Sequence, residues 1–299
     1  MAPRQPRTKD QAVDEIRNQI ISKYLETSTA GPINPNDFFL SSAERRLKDL
    51  KPTSANVNDF ISYYATLAIL EAAKGRFNRA KELYLKAINL TLDNNVHLSN
   101  YNTILTRNCD FEEAQKDIED HFVKGGEKYD LLFNLYTCNL RSLNFESFNL
   151  FYNEIRSKDV LSKKTKSDLE VLYCFSQQLK LMPDDLATIN VSIEMFSEFF
   201  DVLYGFHAKN LYDQFNVRFQ IENEDEQYVI VEVFVKASTA ESVALTVQFE
   251  DTLVKYAVKH ERSDILSKFL VYYKSKEMTQ EEFDYRSNIY LGMNEGLVT

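Results

Sequence analysis

Tryptophan is absent from the 299 residues, and cysteine, histidine, proline and glycine are scarce at three, four, six and seven. Each shortage excludes something. Cys109, Cys138 and Cys174 are odd in number, widely spaced and without a Cys-x-x-Cys pair, so neither a disulfide framework nor a zinc site is expected. Buried, reduced thiols of a cytosolic protein fit them better. His97, His121, His207 and His260 contain no i,i+4 pair, the spacing that turns two imidazoles toward one metal. Five prolines precede residue 53 and only Pro183 follows. An all-β chain needs far more turn residues, so the chain beyond 53 is expected to be mostly helix with at most a little sheet. No window approaches 18 consecutive apolar residues, so no membrane span is expected.

Catalytic signatures are missing as well. There is no nucleophile elbow, phosphate-binding glycine loop, dinucleotide fingerprint or His-Glu-x-x-His. Acidic pairs such as Asp184-Asp185 and Glu224-Asp225-Glu226 sit at turn positions and read as solvated loops. The expectation is a non-enzyme with no cofactor and no metal. A net charge of -10 also argues against nucleic acid, whose phosphates need a basic surface. That acidity keeps the chain soluble or matches an electropositive partner. The N-terminus (Met-Ala-Pro-Arg-Gln-Pro-Arg-Thr-Lys) is charged with no apolar run behind it, so it is not read as a secretory signal, and a cytoplasmic location is expected.

What is present is a period. Phe77, Phe111 and Phe145 are 34 residues apart, in the phrases Gly-Arg-Phe-Asn-Arg-Ala, Cys-Asp-Phe-Glu-Glu-Ala and Leu-Asn-Phe-Glu-Ser-Phe. Ala80, Ala114 and Phe148 follow in the same phase, as do Tyr84, Ile118 and Tyr152. Leu67, Tyr101 and Leu135 precede each Phe, and Tyr64, Leu98 and Leu132 precede those. Five columns stay apolar in register over three copies, the mark of a repeat architecture.

Period and columns resemble the tetratricopeptide (TPR) family, most clearly over 61–94. There Tyr64, Leu67, Ala68, Gly75, Phe77, Ala80, Tyr84 and Ala87 fall where that motif places aromatic, Leu, small, turn Gly, aromatic, Ala, aromatic and Ala. The resemblance implies two-helix hairpins stacked as an α-solenoid and a protein-binding role. It places Ala80 where two helices cross and Gly75 at a helix C-terminus that needs a left-handed residue. It covers about 61–158. Leu92, Gly126 and Val160 stand where the family often has Pro, and Phe148 where it has a small residue.

In that architecture the first helices of successive hairpins line a concave groove. The side chains expected there are Ser62, Ala65, Ile69 and Ala73, then Ser99, Asn100, Thr103 and Arg107, then Phe133, Asn134, Thr137 and Arg141. Asn100 and Asn134 are 34 apart, as are Arg107 and Arg141, so each pair is expected to point one way from neighbouring hairpins. Asn can hold a peptide backbone and Arg a carboxylate; an ordinary polar helix face is the alternative. Some TPR proteins grip a C-terminal carboxylate with Lys, Arg and Asn. Here Ala65, Ile69 and Asp130 occupy positions where Lys, Asn or Lys would be wanted, which argues against that clamp.

The organisation expected is a disordered tail over 1–9, N-terminal helices with a Pro-containing linker over 10–52, TPR-like repeats over 53–210 and an α+β unit over 211–299. Within the second segment, 10–26 reads as a helix with Ala12, Ile16, Ile20 and Tyr24 on one stripe, and Ser41 to Leu50 as a short helix. After 160 the period decays; 165–181 and 185–206 read as a helix pair divided at Met182-Pro183-Asp184-Asp185. Val217, Phe219 and Ile221 alternate with polar residues, and Tyr228 to Val235 is nearly all apolar, the pattern of a β-hairpin. Ser238-Thr-Ala-Glu241 is a capping box opening a helix to about Lys259, expected to cover the sheet through Val243, Val247, Val254 and Val258. Ile265 to Tyr273 reads as a strand, with helix the alternative, and a further helix is expected after Thr279. The whole reads as mainly α, a TPR-like α-solenoid followed by a small ββαβ-like unit. Its expected work is to hold a peptide or helix of another protein, with the C-terminal unit serving homodimerisation or a second contact. A regulatory sensor whose C-terminal unit contacts an effector is the alternative, and an enzyme with its site in that region the less favoured one.

Overall fold

The computed structural model describes residues 8–24, 37–53, 56–91, 98–157, 161–210, 216–222, 227–235, 237–275 and 290–291. Most of the linker read over 27–40, the middle of the turn read over 222–227, the helix after Thr279 and most of the tail over 1–9 lie outside them; the end of that linker, Phe38 to Leu40, is helical. The chain is mainly helical with a small sheet near its C-terminus. It divides into two compact units, Met1–Asn108 with Ala208–Tyr212, and Cys109–His207 with Asp213–Thr299.

The first unit holds α1 (Lys9–Tyr24), α2 (Phe38–Asp49), α3 (Val57–Ala73), α4 (Phe77–Leu90) and α5 (Leu98–Arg107). Asp37 caps α2 by accepting from the backbone N–H of Phe39 and Leu40. The amphipathic row of α1 is buried at Val13, Ile16 and Ile20, and that of α2 at Leu40, Ala43 and Leu47. Both helices pack on α3. Arg17 and Asp14 of α1 reach the Ser62 hydroxyl, and the buried Lys74 ammonium sits 2.6 Å from Glu44 of α2. Between α3 and α4 the chain turns in three residues, with Gly75 in the left-handed region at φ 71°. Its N–H donates to Ala72 C=O and that of Arg76 to Glu71 C=O, the helix closure expected at this glycine.

The second unit opens with α6 (Phe111–Val123), α7 (Leu131–Ser142), α8 (Glu146–Ile155) and α9 (Lys163–Gln178). A single 3-10 turn follows, then α10 (Met182–Thr188) and α11 (Ile193–Asn210). The expected divider at 182–185 is therefore itself helical. Pro183 falls in the first turn, where its missing N–H is no loss, and Asp184 and Asp185 favour the positive helix start.

Strands β1 (Asn216–Glu222), β2 (Tyr228–Val235), β3 (Phe269–Ser275) and β4 (Tyr290–Leu291) form one sheet in the order β3-β2-β1-β4. β1 and β2 are antiparallel with Phe219 opposite Val231; β3 runs parallel to β2 with Val271 beside Val231. The crossover between β2 and β3 is α12 (Thr239–His260), with the expected capping box at Ser238 and Glu241, and α13 (Ser263–Lys268). One sheet face, including Phe219, Val231, Val233, Phe269, Val271 and Tyr273, is buried. Phe199 of α11 stacks on Phe269 at 4.0 Å, and Phe196 meets Phe219 edge-on.

Two expectations are corrected here. The segment 265–273 changes type midway: it is helical through Lys268 and extended from Phe269. The Lys268 ammonium donates to the carbonyls of Ile189 and Gln227, which pins the chain where it changes direction. The four valines of α12 do not cover the sheet. The helix buries Ser242, Phe249, Leu253 and Ala257 instead, because Phe249 meets Phe199, Phe206 and Tyr273. One buried aromatic ring removes more apolar area from water than a valine, so it decides which face turns inward.

Candidate functional site

The expected groove starts from the helix pairs. Phe77, Phe111 and Phe145 are all buried at the start of the second helix of their hairpin, as are Ala80, Ala114 and Phe148, and Tyr84, Ile118 and Tyr152. The period also appears in the backbone. Gly75, Cys109 and Leu143, 34 residues apart, have φ of 71°, 64° and 52°. The bond from Asn144 N–H to Asn139 C=O repeats that from Arg76 to Glu71, and those from Asn108 to Ile104 and Leu105 repeat those from Lys74 to Leu70 and Glu71. Asn190 and Glu261 are also left-handed, at the ends of α10 and α12 and outside the period.

The twelve groove residues divide. On α3, Ala65, Ile69 and Ala73 are buried and Ser62 is engaged by α1. That face of α3 is a packing face, so these four are corrected: they do not line an open surface. The sequence hid this because the apolar row of α1 names no target. On α5, Asn100 and Thr103 are exposed, and Ser99 and Arg107 are half-buried. The Thr103 hydroxyl donates to Ser99 C=O. On α7, Phe133, Asn134 and Thr137 are half-buried, and the Thr137 hydroxyl donates to Phe133 C=O.

Arg141 is the other correction. Its Nε and Nη2 donate to the two carboxylate oxygens of Asp201 at 2.6 and 2.9 Å, and its C=O accepts from Ser197. A guanidinium held bidentate within the chain is not poised to clamp a partner's carboxylate. The hydrogen bond to Asp201 raises the Arg141 pKa, while burial pushes the Asp201 carboxyl up against the opposing pull of Arg141. Ser197 and Asp201, one turn apart on α11, were not singled out from sequence; nothing local links them to a residue some 60 positions earlier.

Beside this pair lies an open cavity of about 280 Å³ lined by Cys109, Asp110, Phe111, Glu112, Glu113 and Arg141. Its carboxylates outnumber its one cation, and the Arg141 guanidinium lies 5.8 Å from the Phe111 ring centre. His121, expected to pack, is buried at the end of α6; its Nε2 accepts from Lys128 N–H, and burial holds its pKa below the usual value. A Cβ on Gly126 would meet the His121 ring at 2.1 Å, so any side chain here would have to displace that ring. Among the described residues, no group of three or more His, Cys, Asp or Glu is placed to hold a metal ion, and no helix is long and apolar enough to cross a membrane.

Comparisons with family models, with curated proteins and with solved structures gave no match to this chain.

Proposed function

We propose that this chain is a non-catalytic adaptor or scaffold whose TPR-like hairpins stack as an α-solenoid and hold a peptide or helix of another cytoplasmic protein. One observation carries the reading: the left-handed turn recurs at Gly75, Cys109 and Leu143, each two residues before a buried Phe. A period written in both side chains and backbone is what stacked hairpins require, because one hairpin cannot bury its face alone. Architectures of this kind work by presenting helix faces to partners rather than by converging catalytic groups. The surfaces we assign to binding are narrower than the sequence pattern implied. They are the face of α5 with Asn100 and Thr103, and the face of α7 with Phe133, Asn134 and Thr137.

The test is affinity capture with the full chain and two variants, Thr103→Arg and Thr137→Arg. Each places a long charged side chain on one assigned face. The expected result is loss of a bound protein in at least one variant; melting of Thr103→Arg should stay close to that of the parent chain, since exposed substitutions usually stay within about 0.5 kcal/mol, while half-buried Thr137 is compared with Thr137→Ser as its folding control. Identical bound proteins in all three samples would overturn the assignment of these faces.

A further inference from the structure

Helix α12 carries two apolar rows. Ser242, Phe249, Leu253 and Ala257 face inward, whereas Val243, Val247, Val254 and Val258 are 60, 56, 45 and 74% exposed. The exposed valines recur at intervals of four, seven and four residues, which keeps them on one line along about 22 Å of helix. Ala240 and Ala244 beside the line are also exposed, so its N-terminal half has no bulky flank. Single exposed apolar residues need no explanation, but a continuous row does. Valine is also a poor choice for a solvent-facing helix position, because its β-branch restricts the side chain there.

The charges around the row point to its occupant. Glu250 and Asp251 are exposed at its midpoint. At about 100° per residue they fall about 50° to either side of the valine line. Lys255 and Lys259 lie farther round, about 90° and 130° from it. Arg262, the next cation along the chain, is taken by Glu198 and Asp264. Among the described residues neither Glu250 nor Asp251 has an ion-pair partner. We propose that this face of α12 docks a basic amphipathic helix of a partner protein, with an apolar row on the valines and Lys or Arg reaching both carboxylates. A second copy of the chain fits less well. The row is symmetric about 250–251, so a two-fold pairing would set Val243 on Val258 and Val247 on Val254. The same pairing would bring Glu250 against Glu250 and Asp251 against Asp251 near the axis, with no cation to compensate them. The proposal stands independently of the helical-repeat reading.

The experiment titrates the full chain with two synthetic helical peptides that share one leucine row at i, i+4, i+7 and i+11. One has Lys on both flanks and the other Glu, and binding is followed by fluorescence anisotropy. The expected result is binding of the Lys peptide at least about tenfold more tightly than the Glu peptide. V247D with V254D should abolish it while circular dichroism and melting remain those of the parent. E250K with D251K should reverse the preference between peptides. Equal affinity for both peptides, or Lys-peptide binding that survives the valine substitutions, would overturn the proposal. So would a concentration-dependent dimer by light scattering that V254D dissolves, because the row would then belong to a second copy.

Discussion

The hairpins α3–α4 and α7–α8 occupy the same phase of the 34-residue period, yet they close differently. In the first, Ala68 and Ala80 stand fully buried on the two helices. The backbones of α3 and α4 run close together over much of their length. In the second, the same positions hold Tyr136 and Phe148, whose rings meet edge-on at 5.4 Å. There the backbones approach each other less. Phe148 also stacks with Tyr152, and Tyr152 meets the tilted ring of Tyr173 of α9, so aromatic rings fill the space that the wider crossing opens. One period thus supports two packing solutions, small-on-small and ring-on-ring. The turn between the helices is what the two share, at Gly75 in one and Leu143 in the other.

That contrast can be broken from either side. The largest effect is expected from Phe148→Ala, which leaves a ring-sized cavity at the second crossing and should lower stability by about 3–5 kcal/mol in urea unfolding. Should it cost under about 1 kcal/mol, the ring-on-ring crossing is not what holds α7 to α8. Ala80→Leu is the complementary change. It forces bulk into the close crossing and should lower stability by about 1–3 kcal/mol; a neutral outcome would mean that α3 and α4 have room to separate.

His121 gives a smaller effect that belongs to the second unit alone. Its folded pKa lies below the ordinary histidine value, first because of burial and then because of Lys128, with Asp130 opposing. The unfolded chain therefore binds more protons as pH falls below about 6.5. Stability is full above that value and declines as acid is added. Protonation would also end the bond that Nε2 accepts from Lys128 N–H. Thermal melting between pH 7.5 and 5.5 should show a decline that His121→Gln reduces. An unchanged slope in the variant would assign the decline to other groups.

Much of this architecture is legible in the sequence. The three columns led by Phe77, Ala80 and Tyr84, the glycine turn, the β-hairpin and the Ser238–Glu241 capping box depend on local pattern, and local pattern survives folding; in the other two columns Tyr64, Leu67 and Leu98 are only half-buried. What the sequence hid depends on choices between faces. The row Ala65, Ile69 and Ala73 looks solvent-facing until α1 is laid on α3. Arg141 looks available until Asp201 arrives from α11. The helix α12 has an apolar row on each of two sides, and periodicity cannot tell which of them meets the sheet; Phe249 decides it through three ring contacts. The left-handed turns at Cys109 and Leu143 were also hidden, because neither residue type favours that conformation.

Those turns carry the claim that the repeat is real. The measurement that reaches it most directly is the stability difference between Gly and Ala at positions 75, 109 and 143, by urea unfolding of six matched chains. Both residues remove any larger side chain, so the difference isolates the backbone. At a left-handed position the Ala methyl is strained by about 1–2 kcal/mol, while elsewhere Gly is the worse residue by about 0.5–1 kcal/mol. The account predicts that Gly is the more stable residue at all three positions, by about 0.5–1 kcal/mol. Ala the more stable at Cys109 or Leu143 would contradict it, leaving Gly75 an isolated turn and the 34-residue period a coincidence of side chains.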